Sequence, residues 1–347
     1  FRSESWFVNA STWALMLTGR IVGDDGKSAE QDWRGTMRKL VQRSGEPVIR
    51  KAVNQAMRVM GRQFVMGRKI EEALDRAKGN ESKGYRYSYD MLGEAARTMA
   101  DADRYFKAYS TAIEKIGKAA KGRGVIEAPG ISVKLSALHP RYEFGQEDRT
   151  LDELIPRLLD LCRKAKEYDI GLCIDAEECD RLDLSMEAIE AAATDPSLAG
   201  WNGLGLAVQA YQKRAYPFIK WLAAVAKKGQ RRMMVRLVKG AYWDTEVKRA
   251  QELGMSDYPV FTRKVSTDVS YLACARLLLT EQEAFYPCFA THNAHTLSAI
   301  AEMAGNRSDF EYQRLHGMGD ALYDQVVSKA GKGGYPVRIY APVGSHE

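Results

Sequence analysis

The 347-residue sequence predicts an α/β fold, a closed (β/α)8 TIM-like barrel preceded by a helical arm. Three observations carry that prediction. Eight short runs rich in β-branched and aromatic residues follow Gly84, most segments between them are long enough for a helix, and seven runs in succession close on polar residues.

Taken in order, residues 1–80 read as helical. Ser11 or Thr12 caps one segment, residues 23–27 break it, and residues 48–60 space apolar positions three and four apart with basic residues between. The strand runs are 85–91, 130–138, 170–177, 204–211, 233–241, 287–293, 310–316 and 336–340. The clearest helices between them are 94–118, 151–168, 216–229, 261–283 and 295–305. Such alternation argues for a parallel sheet with right-handed crossovers, and eight units favour closure; an open doubly wound sheet is the alternative. The expected domains are a helical arm over 1–80 and a barrel over 81–347. Strand eight is expected to end near Tyr340, leaving no room in 341–347 for an eighth helix, so the final barrel helix is expected to be missing from this chain. The first residue is Phe1, not Met, which reads as a portion of a longer protein.

Composition narrows the function classes. Hydrophobic residues make up 45% and charged residues 28%, and no apolar run approaches the roughly 20 residues of a spanning helix. Residues 1–80 hold 15 basic and 9 acidic side chains, which accounts for the whole formal charge of +6. A basic segment suits nucleic acid or an anionic membrane, and equally a set of solvated helix faces; the plainer reading is adopted. The five cysteines form no C-x-x-C pair and read as buried thiols in a reducing compartment. No Cys/His cluster has zinc spacing, so no metal is expected.

Barrel chemistry sits at the C-terminal strand ends. The residues found there are Lys134, Asp175, Gln209, Arg236 with Lys239, then Thr291, His292 and Asn293, then Arg314 and His316, and finally Tyr340. Any one of these could be a satisfied interior residue, but seven successive strand ends read as a polar pocket at one barrel mouth. Lys134, Arg236 and Lys239 suit anionic groups. The Lys239–Gly240–Ala241–Tyr242–Trp243–Asp244 turn offers backbone N–H groups to a phosphate or a flavin edge. Trp243 could stack on a flat ring or simply cover the rim. Neither a dinucleotide fingerprint nor a P-loop is present, so a nucleotide cofactor would be held by barrel loops.

The blocks SWFVNASTWALMLTG, VKLSALHPRYE, CIDAEE, LGLAVQAYQKR, RLVKGAYWD, FATHNAHT, FEYQRLHGMGD and RIYAPVG closely resemble the proline dehydrogenase family, most narrowly the proline dehydrogenase domain of the bifunctional proline utilization A flavoenzymes. The resemblance runs from about Ser5 to Gly344. It implies FAD-dependent oxidation of L-proline to Δ1-pyrroline-5-carboxylate, with electrons passed to a membrane quinone. It further implies a downstream pyrroline-5-carboxylate dehydrogenase domain in the same polypeptide, and a cytoplasmic protein with peripheral contact at the inner membrane. By the same resemblance, Lys134 lies beside the substrate carboxylate and Asp175 at the substrate pocket, paired with an arginine of the final helix. Ala176 touches the flavin through its backbone, Gln209 bonds the isoalloxazine edge and Arg236 approaches flavin N5. Leu237, Tyr242 and Tyr340 shape the proline pocket. Lys239, Gly240, Ala241 and Trp243 serve the FAD phosphates, ribityl chain and adenine, while Thr291, His292, Asn293 and Gln313 also line the FAD site. Family members carry an Arg-Arg pair on the helix after strand eight, which this chain does not reach; Lys134 and Asp175 are therefore expected to lack partners and proline binding to be weak. The N-terminal block resembles the helical arm of the bifunctional proteins. Some relatives carry a DNA-binding domain further upstream, and nucleic-acid binding is not assigned to this chain.

Two rival readings remain at this level. One is a Schiff-base lyase using Lys134, which needs a lowered lysine pKa. The other is a basic helical binding module fused to an inert barrel, which the polar strand ends count against.

Overall fold

The computed structural model describes residue 61, residues 63–327 and residues 334–344. The expected helical arm through residue 60 lies outside the described residues. The chain divides into two compact units, 1–63 and 64–347. The second begins well before the boundary expected at residue 80. Its first helix, α1 (Ile70–Glu81), buries Ile70, Ala73 and Ala77, and Met66 N–H donates to the Pro342 carbonyl. These residues are part of the barrel's own core rather than of a separate arm.

Eight parallel strands close in sequence order: β1 (Tyr85–Met91), β2 (Gly130–Val133), β3 (Leu172–Ile174), β4 (Leu204–Gln209), β5 (Met233–Val238), β6 (Phe285–Ala290), β7 (Glu311–Leu315) and β8 (Val337–Val343). Closure comes from β8 pairing with β1 along seven residues, Tyr85 with Val337 through Met91 with Val343. The last strand thus continues past Tyr340, where the sequence was expected to end it.

The outer layer is α2 (Met99–Ala120) with α3 (Gly124–Glu127), α4 (Glu147–Glu167), α5 (Leu182–Thr194), α6 (Ala215–Lys228), α7 (Trp243–Glu252), α8 (Lys264–Thr280), α9 (Ala294–Ala304) and α10 (Asp320–Val327). Local chemistry explains their bounds. Thr98 and Asp101 form a reciprocal capping box at the start of α2, satisfying N–H groups that a first turn leaves open. On α4, Leu154, Leu158, Leu161, Cys162 and Ala165 make one buried stripe, and on α6 Phe218, Ile219, Leu222, Val225 and Ala226 make another.

Strand alternation then divides two environments. On β5, Met233, Val235 and Leu237 join the large core between strands and helices, whereas Met234 joins Tyr286 and Cys288 inside the bore. All five cysteines are free thiols, three of them buried. Among the described residues, no helix is long and apolar enough to cross a membrane.

Candidate active site

The C-terminal mouth of the barrel holds a cavity of about 570 Å³, within the range of cofactor and substrate sites. Its walls come from the ends of β2 through β8. Ala176, Ala207, Ala241 and Ala290 supply small side chains, and Lys134, Asp175, Gln209, Arg236, Gln313 and Tyr340 supply polar ones.

Four charges gather at its floor. Arg236 is buried and spends its guanidinium on four acceptors: Nη1 to Asp175 Oδ1 at 2.6 Å, Nε to Gln313 Oε1 at 2.7 Å, and Nη2 to Ser132 Oγ at 3.0 Å and Ser88 Oγ at 3.2 Å. Lys134 Nζ donates to Asp90 Oδ1 at 2.8 Å and lies 3.6 Å from Asp175 Oδ2. Tyr340 Oη donates to Asp175 Oδ2 at 2.8 Å, and the Arg236 guanidinium sits 4.9 Å from the Tyr340 ring centre. The expectation that Lys134 and Asp175 lack partners is therefore wrong. A buried charge is costly unless paired, and the bore itself supplies Asp90 for Lys134 and both Arg236 and Tyr340 for Asp175.

Burial pulls the Lys134 pKa down, but the charges of Asp175 and Asp90 outweigh it and hold the ammonium well above its ordinary range. Burial pushes the Asp90 carboxyl up, against the pull of Lys134. A lysine held protonated between two carboxylates is the reverse of a Schiff-base nucleophile.

Around the mouth, the loops are tied to one another. Gln209 Nε2 donates to the Glu177 carbonyl at 2.8 Å, and its Oε1 accepts from Ala241 N–H at 3.0 Å. That pair joins the loop after β3 to the turn after β5. Glu177 is itself buried; its Oε1 accepts from Ser136 N–H at 3.0 Å and its Oε2 from Arg181 Nη1 at 2.8 Å. In the turn, Gly240 has φ +147°, and a Cβ there would fall 2.5 Å from the Tyr211 ring. Lys239 pairs with Asp268, which also accepts from Lys264 Nζ at 2.7 Å. His292 Nε2 accepts from Leu315 N–H at 3.1 Å, so its ring proton resides on Nδ1. Burial and Arg314 lower its pKa and keep it neutral.

Most expected site residues line this one cavity; His316, Leu237 and Trp243 do not. Leu237 is turned by strand alternation into the helix-facing core, fully buried, with its carbonyl accepting from Tyr271 Oη at 3.1 Å. Trp243 is 42% exposed and donates through Nε1 to the Phe261 carbonyl at 2.9 Å, which is the rim-covering role. Asn293 lines the wall but has a structural duty as well, capping α9 by accepting from Thr296 N–H at 2.9 Å. The residues missed by sequence reasoning are Asp90, Ser88 and Glu177. For the first two a signal existed: β1 reads Tyr-Arg-Tyr-Ser-Tyr-Asp, a strict alternation that sends Arg86, Ser88 and Asp90 to one face. Among the described residues, no group of three His, Cys, Asp or Glu side chains could hold a metal ion.

The sequence and the fold have known counterparts. The chain is 56% identical to bifunctional protein PutA of Klebsiella aerogenes and equally to that of Escherichia coli, over its whole length but only 26% of theirs. It is 27% identical to a proline dehydrogenase of Deinococcus radiodurans, with 86% of each chain covered. Among solved structures it resembles a D779Y mutant of Bradyrhizobium japonicum proline utilization A, with TM-score 0.78, 56% identity, and 89% of this chain and 31% of that one covered. It also resembles proline utilization A of Bdellovibrio bacteriovorus inactivated by N-propargylglycine, with TM-score 0.80, 28% identity, and 86% and 32% covered. The chain thus spans about a quarter of the length of the curated bifunctional relatives. A family model described as the DNA-binding domain of proline dehydrogenase matches residues 1–64, a segment in which sequence reasoning assigned no such domain. The model described as proline dehydrogenase matches residues 73–347, the whole barrel with its charged floor, and the chain belongs to the proline dehydrogenase family.

Proposed function

We propose that this barrel oxidises L-proline to Δ1-pyrroline-5-carboxylate using FAD held in the mouth cavity, and passes the electrons to a quinone. The observation that carries this reading is the charged floor: two cations and two carboxylates, all nearly buried, beneath an open cavity walled by small side chains. The residues present fit a flavin. Four alanines leave flat space for a ring system, Arg236 and Gln209 offer fixed polar groups, and the 239–242 turn with Lys239 offers cationic and N–H donors to phosphates.

When bound, FAD supplies the acceptor for the hydride equivalent leaving the carbon next to the proline nitrogen. The chain's own groups bind, orient and tune. Lys134, kept protonated, receives the substrate carboxylate without giving its proton to the substrate amine, which has to be neutral to react. Asp175 lies between Lys134 and Arg236, one oxygen toward each, and fixes both cations. Arg236, which stays charged at any working pH, would help hold the flavin at the floor and would stabilise the negative charge that reduction brings to it. Tyr242 and Tyr340 close around the five-membered ring. A quinone at the membrane surface and a downstream pyrroline-5-carboxylate dehydrogenase domain complete the proposed route, with the protein cytoplasmic and peripheral at the inner membrane.

The test is chemical. FAD-loaded protein given L-proline and a soluble quinone is expected to yield the cyclic imine, trapped as a coloured adduct with an aromatic amino-aldehyde. Absence of the adduct while FAD is bound would contradict the reading.

Residues 1–64 support a second role. They hold 11 basic and 6 acidic side chains and match the family model of a DNA-binding domain, so we propose that they bind DNA through phosphate contacts. Binding should weaken steeply as salt rises; salt-independent retention in a gel-shift series would count against it.

A further inference from the structure

Beneath the charged floor lies a second buried cluster that the proposed chemistry does not use. Glu311, fully buried on β7, accepts at Oε1 from Arg338 Nε (2.7 Å) and from Gln313 Nε2 (2.7 Å). Its Oε2 accepts from Arg338 Nη2 at 3.1 Å and lies 3.5 Å from Arg86 Nη1. Arg338 is anchored in turn on three backbone carbonyls, those of Tyr87, Ala128 and Ile126. Burial would raise the Glu311 carboxyl, yet Arg338 outweighs it and holds the group below its usual range.

An ionised carboxylate only accepts hydrogen bonds. Gln313 is thereby compelled to turn its Nε2 toward Glu311. That leaves Oε1, an acceptor, facing Arg236 Nε at 2.7 Å. The reversed amide would set donor against donor at Arg236 and acceptor against acceptor at Glu311. Gln313 is the one acceptor seen on Nε; the other guanidinium contacts go to Asp175, Ser88 and Ser132.

We propose that Glu311 is a positioning residue which, through the amide of Gln313, fixes the rotation of the Arg236 guanidinium at the cavity floor and so sets how strongly the site favours the reduced cofactor. The proposal rests on the proline dehydrogenase reading. It predicts that Glu311 matters through Arg236 and not otherwise.

A double-mutant cycle tests it, with Glu311→Gln, Arg236→Met and the pair compared with wild type. Glu311→Gln is expected to lower kcat about tenfold, with the proline KM changed by less than about twofold. A tenfold loss of preference for the two-electron-reduced flavin corresponds to a midpoint potential about 30 mV more negative. In the Arg236→Met background the same substitution should change neither quantity. Without FAD, the melting temperatures of the four proteins should show the same non-additivity. If Glu311→Gln does not fold, Glu311→Leu with Arg338→Met removes both charges together and leaves Gln313 equally unanchored. Equal effects in both backgrounds, or an unmoved potential, overturn the relay while leaving the proline reading intact. A folded wild type that takes no FAD overturns the reading and, with additive melting temperatures, the relay as well.

Discussion

At the residue scale, the site is an exercise in charge neutrality. Asp90, Lys134, Asp175 and Arg236 balance in sign, and each has at least one partner within 2.8 Å. Replacing one member leaves another buried and unpaired, which costs several kcal/mol in a dry setting and about 3–5 kcal/mol in typical measurements. Lys134→Met should therefore raise the proline KM by at least about tenfold, the cost of a lost charge-assisted contact, while FAD affinity stays within a few-fold. Titrating FAD and proline separately distinguishes the two. The pH dependence has a definite sign. A folded-state lysine pKa above the ordinary 10.5 means that the ammonium's contribution to stability is complete below that value and declines only as pH rises through the higher folded value. The Lys134 ammonium should accordingly add no pH dependence of its own to wild-type denaturation across neutral pH, and borohydride with a carbonyl compound should leave Lys134 unlabelled. Lys134, Asp175 and Arg236 were legible in the sequence because each closes or follows an apolar run. Asp90 was passed over because its strand carries no apolar run, although the alternation of β1 places it on one face with Ser88. Glu311 was hidden for a different reason: its partner Arg338 is 27 residues away, and only barrel closure brings them together.

At the element scale, the turns after the strands carry the site, and the sequence overstated strand length there. The expected run 130–138 is a strand only through Val133, and 170–177 only from Leu172 to Ile174. Leu135, Ala137 and Leu138 are apolar because the loop after β2 is buried, not because they pair in the sheet. Run 287–293 shows the same effect, since β6 ends at Ala290 and Asn293 opens α9. Two substitutions follow from this. Gly240→Ala forces a side chain into a left-handed backbone and into the Tyr211 ring; it should cost about 1–3 kcal/mol of stability and weaken FAD binding, measurable by melting and by fluorescence titration. Asn293→Ala should cost about 1 kcal/mol through loss of the α9 cap, with Asn293→Ser restoring most of it. FAD affinity that falls in both variants alike would show that the amide also touches the cofactor.

At the scale of the whole molecule, the fold was legible from counting, because eight alternations of strand and helix leave few topologies. The polarity of the bore was only half legible. Sequence reasoning found the polar residues at strand ends, but the same alternation places Arg86, Glu311 and Arg338 deeper, so a hydrogen-bonded column runs from the lower barrel to the mouth. The N-terminal segment was read as a basic helical arm and not as a DNA-binding domain, because charge alone does not distinguish a binding face from a solvated one. The column predicts acid behaviour. Glu311 has a folded-state pKa below the ordinary 4.5, so its contribution is full above that range and is lost as pH falls through the depressed value. Acid unfolding of Glu311→Gln should be correspondingly less steep than that of wild type, by circular dichroism. The central claim is that this charged floor serves a flavin that proline reduces. The most direct measurement is the absorbance spectrum of the FAD-reconstituted protein before and after anaerobic addition of L-proline. Resolved flavin bands that bleach with L-proline but not with D-proline are the predicted result; a protein that takes up no FAD, or a flavin that stays oxidised under saturating L-proline, would contradict the account.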